Sequence, residues 1–489
     1  MNWILYNNFN KFIFDIVYKQ IEGGFTMENT KLKKNHLSML ETIAMSVAIM
    51  APTASMALNV SLMAGVSSYS VTLVFIISMI VVGFVSLSII KFNRHFSTAG
   101  SLYTFTEKSL GKRTGFISGW SLLLTYLMFT AGCTAALGSF AKSFLNTAFG
   151  INIGWLPIAL VCSVIIGLVS YMDVKISTRV MLVFEGISIV LILILTAVIF
   201  FKVSKTTGLS TLPFKSNGNN MSAIATASVF GFLSFAGFEG ASSLGEETKN
   251  PKKFIPIAIG SAVIITGLFF LLSSYVQVIG FGANEAGIKT LAKSSLPLSD
   301  LSLKYISSSY ALMLTLGAIL SFFSCALGSA SAGARMLFSM SRDGRINEKL
   351  ATVHHKYNTP YVGLGIITIF AIVVEIALYK KSGTEVFGYC ATIASLALII
   401  SYLLTSIGAM VYFTKNKIWG IKNLIVPIIS ISALVFVLYS NIYPIPEFPA
   451  NIFPFIIAGW IVIGMVITYK FEISHENKSV VGTVSQKIG

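Results

Sequence analysis

The residues of this chain best suited to chemistry are two acids and a proline set inside long apolar runs. Glu239 stands in Ser234-Phe235-Ala236-Gly237-Phe238-Glu239-Gly240, a stretch that continues through Ser242, Ser243 and Gly245 to Glu246, Glu247, Lys249 and Pro251. Glycine costs a helix about 1 kcal/mol against alanine, and an ionisable group at mid-membrane costs about 2.5–3.5 kcal/mol on insertion scales. A passive membrane anchor has use for neither. A helix interrupted at mid-depth, its freed backbone groups facing a cavity, has use for both; the alternative is a glycine-lined packing seam around a satisfied Glu239. A second interruption falls in AIMAPTASMALN, Ala48 to Asn59, where Pro52 lies between Ala51 and Thr53. Proline inside a helix removes a hydrogen bond at a cost of about 3 kcal/mol or more, and Thr53 and Ser55 are hydroxyls able to serve the freed groups. The ends of a broken helix offer unpaired N–H groups to an anion and unpaired C=O groups to a cation.

The elements that must position these residues are membrane-spanning helices. Of 489 residues, 55% are hydrophobic and only 11% charged, with a mean hydropathy of +0.80; soluble domains carry about 25% charged residues. Twelve apolar segments of spanning length follow one another between residues 39 and 469, the first at 39–64 and the sixth at 222–245. Each broken segment opens a set of five, and paired interruptions in two halves point to an inverted-repeat transporter with a midplane site. An even count puts both termini on one side. Placing them inside assigns 26 of the 35 Lys and Arg to that side and 9 to the other, so the net charge of +16 is a topology signal and no nucleic-acid partner is needed. Before residue 27 the chain lacks a small-residue cleavage site, and Glu22-Gly23-Gly24 reads as a translated ribosome-binding site, which suggests Met27 as the natural start. The four cysteines, Cys133, Cys162, Cys325 and Cys390, all lie in apolar runs without metal-ligand spacing.

Four blocks carry a family resemblance: TAGSLYTFTEKSLGKRTGFISGW (98–120), SFAGFEGASSLGEETKNP with Ile255-Pro256 beyond it, SAGARMLFSMSRDGRIN (331–347), and Thr359-Pro360. With them the chain resembles the amino acid–polyamine–organocation (APC) family of secondary transporters. The resemblance implies an all-α polytopic membrane protein of twelve transmembrane helices, a LeuT-like 5+5 inverted repeat plus two C-terminal helices. The expected organisation is a cytoplasmic leader at 1–36, a first five-helix repeat at 37–202, an external loop at 203–221 and a second repeat at 222–413. Helices eleven and twelve then occupy 414–470, and a cytoplasmic tail 471–489. One departure stands out: many members carry a glycine-rich break in the first helix, where this chain has Ala51-Pro52-Thr53-Ala54-Ser55.

The implied substrate is an amino acid or related amine. Two opposed helix breaks can hold the two charges of an α-amino acid, so Ala51, Pro52, Thr53, Ala54 and Ser55, with Ser234, Phe235, Ala236, Gly237, Phe238 and Glu239, are the expected backbone cradle. Phe235 and Phe238 serve either as gate and side-chain contacts or as ordinary packing. On the third segment, Tyr126 and Thr130 are one helical step apart and are expected to face the site. Glu185, on the fifth segment, falls where the family places the coupling ion, near helices 1 and 8; it is the expected proton carrier, with a capped polar cluster as the alternative. Glu375, close to Lys380, is expected at the membrane interface. Glu246, Glu247, Lys249, Arg335, Arg342 and Asp343 read as solvated inner helix ends or as state-dependent ion pairs. His354 and His355 lack a third ligand, and no metal is expected.

The expected function is therefore a secondary active transporter in the plasma membrane, working by alternating access as a proton-coupled symporter. No cofactor is needed; Na+ is the alternative coupling ion, and exchange the alternative mode. A channel would need no paired helix breaks, and an enzyme would need clustered chemistry that the chain lacks. The partners are a small molecule and the lipid bilayer, and the sequence carries no signal for an oligomeric state.

Overall fold

In lipid every backbone polar group must be paired internally, and apolar runs of this length satisfy that rule as helices. The computed structural model describes residues 31–216, 221–418, 420–443 and 445–488, without the side chains of 221, 222, 422, 423 and 471–488. The expected start at Met27, most of the expected leader, part of the 203–221 connection and the side chains of the expected tail lie outside the described residues.

The α-helices are α1 (Met39–Met50), α2 (Pro52–Ser67), α3 (Val71–His95), α4 (Ser101–Leu110), α5 (Lys112–Phe149), α6 (Trp155–Tyr171), α7 (Val174–Thr206) and α8 (Met221–Phe235). A 3-10 turn over Phe238–Leu244 follows, then α9 (Pro251–Phe281), α10 (Glu285–Lys293), α11 (Pro297–Tyr305) and α12 (Ser308–Arg342). The chain ends in α13 (Tyr361–Ala377), α14 (Gly383–Lys415), α15 (Lys422–Ile442) and α16 (Phe453–Ile488). Among the described residues nine helical stretches are long and apolar enough to cross a membrane; one of them, Met39–His95, contains both α1–α2 and α3, and α6 and α13 are shorter apolar helices. The protein is a multi-pass, all-helical membrane protein.

Three expectations from hydropathy shift in the structure. The 98–120 block contains α4, whose inner face buries Leu102, Tyr103 and Phe105. The connection at 282–302 is mostly helical: Asn284 caps α10 by accepting the Gly287 N–H at 2.8 Å, and α10 and α11 bury Ile288, Leu291, Leu298 and Leu301. The eighth apolar segment begins at Ser308 rather than 303, because the Ser307 side chain accepts the Tyr310 N–H and sets the helix start there. Each is an amphipathic or capped element, which a hydropathy window averages away.

The centre of the bundle is built by α5, α14 and α12, with the broken pairs α1–α2 and α8–turn packed against them. The small residues of α12, from Ser324 through Gly333, are buried and let neighbouring backbones approach closely. At the periphery α16 exposes Phe455, Val462, Ile463, Met465 and Val466, a lipid-facing surface.

Candidate functional site

The first break is set by Pro52. Having no N–H, proline is accommodated as the first residue of α2, and the residue before it is pushed out of the right-handed helical region. Ala51 accordingly takes φ 44, ψ 62, with its N–H on the carbonyls of Val47 (3.1 Å) and Ala48 (3.2 Å). The second break is set by Gly237 at φ 98. Ile49, two residues before Ala51, packs directly on Gly237: a Cβ there would lie 2.2 Å from Ile49 Cγ2, and one at Gly328 on α12 would lie 2.7 Å from Ile49 Cγ1. Glycine is needed at both because the two breaks and α12 share one apolar contact.

Each break has its own buried acid. Glu239 accepts from Tyr126 Oη at 3.0 Å on one oxygen and, on the other, from Tyr402 Oη in a short hydrogen bond. Glu185 on α7 uses one oxygen only: Oε1 accepts from the Thr53 N–H at 3.3 Å and from Ser321 Oγ at 3.0 Å, whereas Oε2 is buried without a partner. Ser321 in turn accepts the Ala54 N–H at 3.2 Å. The backbone donors at the start of α2 are thus all engaged by the protein.

A small cavity lies between the breaks. It is lined by Ile49, Met50, Ala51, Ala54, Ser55 and Asn59 from the first broken helix, Leu233 and Ala236 from the second, Phe129 and Cys133 from α5, Phe322 and Cys325 from α12, and Phe387 from α14. Its room for water centres is about 20 Å³, enough for about one water. A larger ligand requires the surrounding helices to move.

The structure distributes the expected cradle unevenly. Ala51, Ala54, Ser55 and Ala236 line the cavity. Pro52 and Thr53 are buried at the start of α2, and Ser234 donates to the Phe230 carbonyl while accepting from Asn59 Nδ2 at 2.8 Å. Phe235 packs edge-on against Phe270, with ring centroids 5.0 Å apart, and Phe238 packs on Tyr402 at 5.2 Å. Tyr126 reaches Glu239, joining two residues singled out separately, while Thr130 turns back onto the Tyr126 carbonyl. Glu185 does adjoin the first broken helix and α12. Tyr402, Ser321, Asn59 and Cys325 were not foreseen. Of these only Asn59, an amide within an apolar run, carries a sequence signal.

Glu375 differs from its expected interfacial place. It is fully buried, accepting from Ser163 Oγ at 2.8 Å and from Thr134 Oγ1 in a short hydrogen bond. Its helix, α13, packs against α5 and α6, so closeness to Lys380 in sequence does not carry the side chain outward.

At one end of the bundle the charged residues form a connected layer. Arg335 and Glu247 pair through two hydrogen bonds of 2.5 and 3.0 Å, with both side chains at most 2% exposed. This pair is buried, unlike the solvated helix end that sequence suggested. Arg342 binds both oxygens of Glu246, and Arg345 binds Glu107 at 2.8 Å. The segment before α1 is tied in as well: Leu37 pairs with Thr248, while Lys33 and His36 contact Asp173 at 2.9 and 2.7 Å. Burial raises the Asp173 carboxyl, but Lys33, the Lys175 N–H and His36 outweigh it and hold the group below the usual carboxylate range. Glu246 is also lowered, burial being outweighed by Arg342, the Ala99 N–H and Lys34. Asp343, with burial dominant, is raised.

Comparison with known proteins places this architecture. The amino acid permease family model matches residues 38–477. The chain is 29% identical to the branched-chain amino acid permease BcaP of Bacillus subtilis over 60% of its own length and 64% of the relative's, just under two thirds of that protein. It is 26% identical to the methylthioribose transporter of the same organism, covering 79% of this chain and 82% of the relative. With the low-affinity putrescine importer PlaP of Escherichia coli K12 the identity is 25%, over 69% and 74%. Matched along nearly all of its membrane portion, the chain belongs to the amino acid permease family and is a permease, not an enzyme.

Proposed function

We propose that this protein is a secondary active transporter of an amino acid or related amine, working by alternating access in the plasma membrane. The observation that carries the reading is the meeting of two interrupted helices around a small central cavity, each with a buried acid at its break. Breaks of this kind are how membrane transporters present backbone polar groups to a substrate at mid-depth. The amino acid, amine and methylthioribose carriers among its relatives support the substrate range.

The arrangement is read as twelve crossings: Met39–His95 counts twice because it turns at Ser68–Ser70, and the two shorter apolar helices count once each. Residues 37–202 and 222–413 form the LeuT-like 5+5 inverted repeat, joined by the external connection 203–221, with 414–470 as two added helices. The leader at 1–36 and the tail at 471–489 are cytoplasmic, and so is the layer around Arg335, Glu247 and Asp173. That layer closes the inner side in this conformation.

Proton-coupled symport is the favoured mode. Glu185 has no cation partner among the described residues, and its second oxygen is bare, so it can take up and release a proton as its surroundings change. Thr53 and Ser321 couple that event to both α2 and α12. Exchange is the second reading, favoured by 24% identity to the serine/threonine exchanger SteT of Bacillus subtilis. The test is uptake into proteoliposomes across a panel of amino acids and amines, with and without a proton or Na+ gradient. Accumulation driven by a proton gradient is expected; uptake needing an internal counter-substrate and indifferent to either gradient would establish exchange instead.

A further inference from the structure

At the first break every backbone donor has a partner. The Ala51 N–H bonds to Val47 and Ala48, Pro52 has none, the Thr53 N–H bonds to Glu185, the Ala54 N–H to Ser321, and the Ser55 N–H to the Ala51 carbonyl. At the second, the Ala236 N–H bonds to the Leu233 carbonyl, the Gly240 N–H to the Gly237 carbonyl and the Ala241 N–H to Ser46 Oγ. The position that would receive a substrate carboxylate is already filled by a carboxyl of the protein. Protonation does not empty it, because the Glu185 carbonyl oxygen still accepts.

The acceptors are in the opposite condition. The Ile49 carbonyl receives only a thiol, Cys325 Sγ at 3.1 Å, and the Met50 carbonyl only the Ser55 hydroxyl at a long 3.4 Å. Thiols are weak donors. Asn59 lines the same cavity and is 2% exposed, with Oδ1 unpartnered. Its orientation follows from chemistry: Ser234 Oγ donates to Phe230, so it must accept from Asn59 Nδ2, leaving Oδ1 free. The adjacent Ile49 and Met50 carbonyls are under-used acceptors suited to an ammonium group, and Asn59 Oδ1, two turns into α2, is a further acceptor on the same cavity. The Ile49 and Met50 carbonyls sit at the C-terminal end of α1, where the helix dipole favours a cation. The remaining walls, including Phe129, Leu233, Phe322 and Phe387, are apolar.

We infer that the substrate is a primary amine with an apolar body and no carboxylate, and that Glu185 stands permanently where the carboxylate of an amino acid would bind. This rests on the transporter reading above and narrows its substrate class.

The test uses pairs that differ only by the carboxylate: leucine against 3-methylbutylamine, and phenylalanine against 2-phenylethylamine. Binding to the purified full-length protein in nanodiscs is followed by ligand-induced thermal shift. Each amine is expected to bind at least about tenfold more tightly than its parent amino acid, the scale of one charged hydrogen bond gained against one lost. Equal or tighter binding by the amino acids overturns the inference and leaves the transporter reading intact. Failure of every member of both pairs to bind also overturns the inference, and the transporter reading is then decided by the uptake panel above. Glu185→Ala frees the Thr53 N–H and is expected to move the preference at least about tenfold toward the amino acid. Ser321→Ala frees the Ala54 N–H with a smaller change in packing and is expected to shift it the same way, which keeps the test usable should Glu185→Ala fail to fold. An unchanged ratio in a folded variant counts against the inference.

Discussion

The two broken helices solve one problem in opposite ways. The break at Gly237 uses the residue that tolerates a left-handed backbone, and its acid is closed off by tyrosines from α5 and α14. The break at Ala51 holds a β-carbon in the same region, at about 1–2 kcal/mol, and its acid keeps one oxygen bare. A site with all its hydrogen bonds made has little reason to change; one with a bare carboxyl oxygen gains by acquiring a proton or a partner. The second break is therefore the fixed wall of the proposed site, and the first is its responsive one.

The largest effect expected from this contrast comes from exchanging the break residues. Gly237→Ala adds left-handed strain of about 1–2 kcal/mol and a Cβ 2.2 Å from Ile49 Cγ2, for which overpacking adds about 1–3 kcal/mol. Ala51→Gly relieves strain and gives back about 0.5–1 kcal/mol in chain entropy. Thermal unfolding in detergent should show a large loss for the first and a change within about 1 kcal/mol for the second. Equal losses would mean that the two breaks are not built differently.

Next come the tyrosines. Tyr402→Phe or Tyr126→Phe leaves one buried oxygen of Glu239 unpaired, at about 1–3 kcal/mol. Restoring it by the second change Glu239→Gln should recover part of that loss, because a neutral amide is cheaper to leave under-bonded than a carboxylate. Ser321→Ala should cost less, since Glu185 Oε1 keeps the bond from the Thr53 N–H and the freed Ala54 N–H adjoins the cavity. A milder loss in Tyr402→Phe than in Ser321→Ala would reverse the assignment of fixed and responsive walls.

How far the sequence led is clearest at particular residues. Pro52, Gly237 and Glu239 were legible because each violates a local rule of membrane helices, and both interruptions are present. Tyr126 was found by its spacing on α5, yet Tyr402, which makes the matching bond, is one aromatic among 37 Phe and 18 Tyr and has nothing local to mark it. Glu375 shows the limit from the other side: its burial depends on which way α13 is rotated, and its partners, Thr134 and Ser163, come from two other helices. Occupation of the α2 donors by Glu185 and Ser321 is likewise a fact of packing between three helices. Local physics marks where a helix breaks; only tertiary contact decides what fills the break.

Glu185→Gln sharpens the responsive side of the contrast. Size and the accepted bonds from Thr53 and Ser321 are kept, so thermal stability should stay within about 1 kcal/mol of wild type. Exchange of bound substrate should persist while accumulation driven by a pH gradient is lost. Accumulation at the wild-type level would remove Glu185 from coupling.

The smallest effect lies at the charged end, and its sign is fixed by linkage. Asp173 has a folded-state pKa held below its ordinary value of 3.8, and Glu246 one held below 4.5. A depressed acid stabilises the folded state fully above its unfolded pKa, and that contribution is lost as pH falls through the folded value. Asp343, shifted upward, acts the other way, its ionised form being the disfavoured one in the folded protein. The net pH curve therefore mixes signs, and Asp173→Asn isolates one contribution. Asparagine keeps the capping geometry at the start of α7 while removing the charge seen by Lys33 and His36. At pH 7 the variant should be less stable by about 1 kcal/mol, the upper range for a partly exposed ion pair. The gap from wild type should close as pH is lowered below 3.8 and shrink with added salt at pH 7. A gap that persisted unchanged in acid would show that Asp173 acts through its shape at the helix start, leaving the segment before α1 held by backbone contacts such as Leu37 with Thr248.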